Sequence, residues 1–113
     1  MRRLSAIAVC IACAVVVVLG VAPAAPAAKP PTVFINGDSA ANYKFTPRVL
    51  QIRRRQRVHW QWDSNGAHNV RFPKLGKTSV TGASETFSLR FKRRGTFRYL
   101  CTVHGFRGKV VAR

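Results

Sequence analysis

Residues 57–62 read Arg-Val-His-Trp-Gln-Trp, which sends Val58, Trp60 and Trp62 to one side of an extended chain and His59 and Gln61 to the other. A period of two is what a half-buried β-strand needs, and it gives a helix no continuous apolar stripe. The same alternation recurs in short pieces at residues 32–35, 49–53, 68–72, 85–91, 96–100 and 108–112. Val70 and Phe72 share one face of their segment, and Phe87, Leu89 and Phe91 share one face of theirs. Turn formers separate the runs: Asn36-Gly37-Asp38, Asp63-Ser64-Asn65-Gly66 and Arg93-Arg94-Gly95. Residues 74–83, rich in Gly, Ser, Thr and Lys, read as a loop. No useful stretch has helical periodicity and no segment repeats. About seven short strands between regular turns predict an all-β sandwich with Trp60 and Trp62 in its core and His59 on its surface.

The first residues follow another rule. Arg2 and Arg3 precede an uncharged apolar run over residues 4–22, followed by Val-Ala-Pro-Ala-Ala-Pro-Ala-Ala. Ala25-Pro26-Ala27 has the small-x-small form of a signal-peptidase site, and Ala22-Pro23-Ala24 is a second such form. The expectation is an export signal over residues 1–27, removed to leave one domain over 28–113, with an uncleaved membrane anchor as the alternative. Cleavage would leave no transmembrane segment and one cysteine, Cys101. An exported domain with one cysteine makes no internal disulfide, so Cys101 is an inert buried thiol, an intermolecular link, or a reactive or metal-bound thiolate.

The chain carries 20 Lys+Arg against 3 Asp+Glu, a formal net charge of +17. Such a surface attracts anions. Export makes intracellular nucleic acid a poor partner and favours an acidic protein or an anionic envelope polymer in the periplasm, the cell envelope or the extracellular space. The basic residues cluster at Arg53-Arg54-Arg55 with Arg57, and at Arg90, Lys92, Arg93 and Arg94. Both clusters fall at turns or strand ends, and the turns of a sandwich gather at its two ends, so the clusters are expected at one pole. No Ser-His-Asp set, paired acids or glycine-rich phosphate loop is present, and three acids leave little for acid–base work, so no enzyme is expected.

The chemistry concentrates near the C-terminus. A predicted strand runs into Cys101, and His104 stands three residues later, so a tight Cys-x-x-His loop can bring a thiolate and an imidazole to one metal. The second imidazole must come from elsewhere, and His68, at the opening of a strand, is the best candidate. Two neutral imidazoles and one thiolate make the trigonal set of blue-copper sites. Zinc accepts the same donors.

Several motifs stand in order: Phe45-x-Pro47, Val58-x-Trp60, His68-Asn69-Val70, Gly95-Thr96-Phe97-x-Tyr99-x-Cys101, Cys101-x-x-His104 and Gly108-x-Val110. On these the chain resembles the cupredoxin family, especially its small plastocyanin-, pseudoazurin- and amicyanin-like members, over most of residues 28–113. The resemblance implies an eight-stranded Greek-key sandwich with one copper ion at one end. It also implies one-electron transfer between Cu(I) and Cu(II), equatorial ligation by His68, Cys101 and His104, and a loop-tying role for Asn69. A monomer is expected.

One departure matters. The family carries a methionine after the second histidine as a long axial ligand, whereas the only methionine here is Met1. Phe106 or Arg107 takes that position, depending on where the loop is shortened, and neither binds copper. The carbonyl of Ala67 is a candidate weak axial donor. Three functions follow as expectations: a copper electron carrier, a chaperone or scavenger that keeps Cu(I), or a degenerate member acting as a basic polyanion-binding module.

Overall fold

A computed structural model describes Gly20 and residues 29–113. The export signal expected over residues 1–27 therefore lies, but for Gly20, outside the described residues. Among those described, no helix is long and apolar enough to cross a membrane.

The strands are β1 (Thr32–Asn36), β2 (Lys44–Thr46), β3 (Val49–Ile52), β4 (Arg57–Trp62), β5 (Arg71–Phe72), β6 (Lys77–Thr78), β7 (Thr86–Arg90), β8 (Gly95–Leu100) and β9 (Arg107–Ala112), with one 3-10 turn at Pro73–Leu75. They form two mixed sheets, ordered β2-β1-β4-β7 and β3-β9-β8-β5-β6. The fold is thus the expected all-β sandwich, with two small strands more than alternation reveals. β2 is only three residues long, and β6 lies inside the Gly/Ser/Thr/Lys stretch read as a loop, paired to β5 through Arg71 and Phe72. The segment opened by His68 is shorter as a strand than expected. His68 instead makes an isolated antiparallel bridge to Gly82.

Alternation sets the core. Val58, Trp60 and Trp62 of β4 are buried, and they meet Val33 and Ile35 of β1, Phe72 of β5, Tyr99 of β8 and Val110 of β9. The middle of this core is aromatic. The Trp60 ring lies 5.5 Å from Phe72 and 5.4 Å from Tyr99, both edge-on, the arrangement that ring quadrupoles favour. Gly108 faces Tyr99 in the β8–β9 register, and a Cβ there would lie 2.5 Å from the phenol. Any larger residue would displace the ring. His59, expected on the surface, is half-buried.

Strand directions define two ends. β4 and β8 run from Arg57 and Gly95 up to Trp62 and Leu100, and the loops beyond them carry His68 and Cys101. The β3–β4 and β7–β8 turns lie at the other end. The Arg55 amide donates to the Phe91 carbonyl at 2.6 Å, and the Phe91 amide donates to the Gln56 carbonyl at 3.1 Å. The two basic clusters therefore share one pole, as expected.

The Tyr99 hydroxyl and the Trp60 indole nitrogen are buried without hydrogen-bond partners among the described residues. Burial pushes the Tyr99 phenol up to about 12, because the phenolate would lose its water, and the neighbouring Trp60 indole offsets this only in part. Unfolding returns it to its ordinary value near 10, so its contribution to stability is intact below about pH 10 and is lost as pH rises toward about 12. Urea unfolding across that range should show the wild type losing on the order of 2 kcal/mol that Tyr99→Phe retains. Identical alkaline profiles would contradict this.

Candidate metal centre

His68 is held at four points. Its amide donates to the Gly82 carbonyl at 2.9 Å and its carbonyl accepts from the Gly82 amide at 3.1 Å. The Trp62 indole donates to the same carbonyl at 3.1 Å. The imidazole Nε2 lies 2.7 Å from the Asn65 carbonyl and 2.9 Å from the Ser64 hydroxyl. A carbonyl only accepts, so Nε2 carries the proton and Nδ1 keeps its lone pair. That lone pair faces Cys101, with Nδ1 to Sγ at 3.9 Å. Both residues are wholly buried. Burial and the neighbouring His104 hold the His68 imidazole below the usual histidine range, against the opposing bond from Asn65. The ring thus stays neutral, as a metal ligand must be.

Cys101 follows β8, where the chain turns sharply. Its amide donates to the Phe106 carbonyl at 2.9 Å, and its carbonyl accepts from the Gly105 amide at 2.8 Å. This closed loop swings His104 back toward the thiol. His104 is the least buried of the three. The ligand atoms of His68, Cys101 and His104 all lie within 4.8 Å of one another. Nitrogen and sulfur donors bound at about 2.0–2.3 Å in a trigonal plane stand roughly 3.5–4 Å apart, so the set closes on one ion with small shifts.

Asn69 ties the two loops together. Its Oδ1 accepts from the Thr102 amide at 2.7 Å, and its Nδ2 donates to the Thr102 hydroxyl at 2.7 Å and to the Thr81 hydroxyl at 3.2 Å. Asn69 is itself buried and its threonine partners are exposed, so these bonds are partly shielded from water and set the spacing of His68 and Cys101.

Of the two residues weighed for the axial side, Phe106 is the one turned to the donors. Its ring packs 5.6 Å from His68 and 6.4 Å from His104, and rests 4.5 Å from Phe45. Arg107 opens β9 and is exposed. Ala67 lies exposed in the loop beside His68.

Sequence reasoning missed Tyr43. Its ring sits 4.5 Å from His68 and 4.6 Å from His104, and its hydroxyl donates to Asn65 Oδ1 at 2.8 Å. Gly66 makes room for it: a Cβ there would lie 2.8 Å from the Tyr43 oxygen, and the backbone has φ +78°. Tyr43 follows an aperiodic turn, so no local signal marks it. Trp62 was read as core alone, yet it also fixes the His68 backbone.

Fold and site together define a cupredoxin. A model of the cupredoxin-like domain matches residues 10–112, and the chain belongs to that family. Among curated relatives it is 35% identical over 79 residues to amicyanin-alpha of Methylorubrum extorquens, a match covering 63% of this chain and 66% of that protein. Among solved structures it is similar to a reduced Cu(I) form of an amicyanin variant, with TM-score 0.65 and 30% identity, covering 74% of this chain and 82% of that one. A purple cupredoxin from Nitrosopumilus maritimus shares the fold, with TM-score 0.65 and 22% identity over 74% of this chain and 99% of that one.

Asn69→Ala should lower stability by about 1–3 kcal/mol in chemical unfolding, because it removes the three hydrogen bonds that tie the two loops. A loss below about 0.5 kcal/mol would show that the tie to the Thr102 amide is unimportant.

Proposed function

We propose that residues 28–113 form an exported type 1 copper protein that carries single electrons, with residues 1–27 as its export signal. The convergence of the His68, Cys101 and His104 donor atoms within 4.8 Å at one end of the sandwich carries this reading. Family membership and the likeness to amicyanins support it. Copper held by these three residues would supply one-electron chemistry between Cu(I) and Cu(II).

The protein's part is to keep the donors still. Asn65 fixes the His68 tautomer, Asn69 fixes the loop spacing, and the 101–106 loop fixes Cys101 against His104. Donors that do not move between charge states need little reorganisation when an electron arrives or leaves. His104, the least buried donor, is the exit toward a partner. Phe106 packs against His68 and His104, so among the described residues no fourth side-chain donor would reach copper held there, and the Ala67 carbonyl would be the weak axial candidate. A set without a fourth donor disfavours Cu(II) more than Cu(I). The exposed Arg107 beside the loop acts in the same direction. The net charge favours an acidic redox partner or an anionic envelope polymer, and the protein acts as a monomer.

A second reading, a chaperone or scavenger that keeps Cu(I), is favoured by the same axial Phe106. The protein titrated with Cu(II) should bind one equivalent and develop an intense thiolate-to-copper band, absent in Cys101→Ala. Reversible voltammetry favours the carrier; bound copper that resists oxidation favours the chaperone. No stoichiometric binding would overturn both.

The reduction potential should exceed that of Met-ligated relatives. Phe106→Met should lower it, by about 59 mV for each tenfold gain in Cu(II) over Cu(I) affinity. A potential at or below those of the relatives would refute the axial argument.

A further inference from the structure

Charge is divided along the strands. All three acids lie at the metal end: Asp38 in the β1–β2 loop, Asp63 after β4, and Glu85, whose carbonyl accepts from the Trp62 amide. The opposite end is built from cations with no acid among them. The turn Arg53-Arg54-Arg55 is stitched to Phe91, which adjoins Lys92-Arg93-Arg94. The Arg54 amide donates to the carbonyl of Arg113 at 2.8 Å, which brings Arg113 to the same platform. Arg55 has φ +76°, a left-handed conformation that glycine or asparagine adopts with less strain. An arginine is held there nonetheless, at the tip.

Two observations say what covers this pole. The first is where the chain comes from. β1 runs parallel to β4, with Thr32 beside His59, so Lys29 and Pro30 lead in from the basic end. Before the proposed cleavage, the apolar run 4–22, which ends only a few residues earlier in the sequence, would hold this end at the membrane. The second is a recess of about 440 Å³ beside the pole, lined by Arg57, Arg90, Lys92 and Arg93 together with Leu89 and Phe97. Cations beside apolar side chains suit a phosphate ester attached to hydrocarbon better than a fully hydrated polymer.

We propose that the basic pole docks on a membrane surface of anionic phospholipid, with the metal end pointing away from the bilayer. Each strand of six residues spans about 20 Å, which sets the height of the metal end above the headgroups. The attraction relieves the mutual repulsion of the clustered cations and weakens with salt. Docking does not depend on the metal assignment, so the metal-free protein tests it; only the usefulness of the outward orientation rests on the copper reading.

The mature protein proposed above, residues 28–113, is floated with phosphatidylglycerol or phosphatidylcholine vesicles at low and high salt. The expected result is strong binding to phosphatidylglycerol only, lost at high salt. A pole variant (Arg53→Gln, Arg54→Gln, Arg93→Gln) should bind about 100-fold less tightly, since each basic residue near an anionic surface contributes roughly fivefold. A variant of equal charge on the outer face of the second sheet (Arg71→Gln, Arg98→Gln, Lys109→Gln) should stay within a few-fold of wild type. Thermal melts check that both fold; if the first does not, Arg93→Gln with Arg94→Gln replaces it. Equal losses in the two variants, equal binding to both lipids, or tighter binding to polyglutamate than to vesicles would overturn the proposal.

Discussion

The site depends on one buried amide side chain. Asn69 accepts from the Thr102 backbone and donates to two threonine hydroxyls, and so joins two loops that are 33 residues apart. His68 and Cys101 stand immediately next to its two ends. Nothing in either loop alone would put a thiol sulfur 3.9 Å from an imidazole nitrogen. A charged tie could pull as strongly, but its desolvation would cost more than a neutral amide that satisfies its bonds. Trp62 and Asn65 then set the height and tautomer of His68, so the geometry of the donors is inherited from the hydrogen bonds around them.

The core has a related division of labour. Trp60, Phe72 and Tyr99 fill the space between the sheets, and Tyr99 is two residues from Cys101 on the same strand face. A strand that anchors a ring of that size in the core cannot slip by one residue without turning the thiol outward. The register of β8 on β9, with Tyr99 opposite Gly108, is therefore a condition for the metal centre as well as for packing.

Legibility in the sequence followed this division. β4 was readable to the residue because it is half-buried and alternates cleanly. β2 and β6 were not, since two or three residues carry no period and pairing with a neighbour makes them strands. The convergence of His68, Cys101 and His104 was legible because histidine and cysteine are scarce in this chain and the Cys-x-x-His spacing is short. Tyr43 and Asn65 were not, because they act through a contact across 22 residues between two aperiodic loops. Phe106 and Arg107 part where β9 begins. It begins at Arg107, one residue earlier than the alternation indicates, and that aligns Arg107 with the outward side of the sheet and leaves Phe106 in the loop.

Both ends of the continuous stretch 29–113 emerge on the side away from Cys101. The domain is thus open to covalent extension at either terminus without crossing the face where electrons would pass. It can be strung into tandem arrays, fused behind a second domain or tethered to a solid support by either end, and each arrangement leaves the His104 rim clear. Modularity of this kind follows from strand polarity alone and asks nothing of the loops.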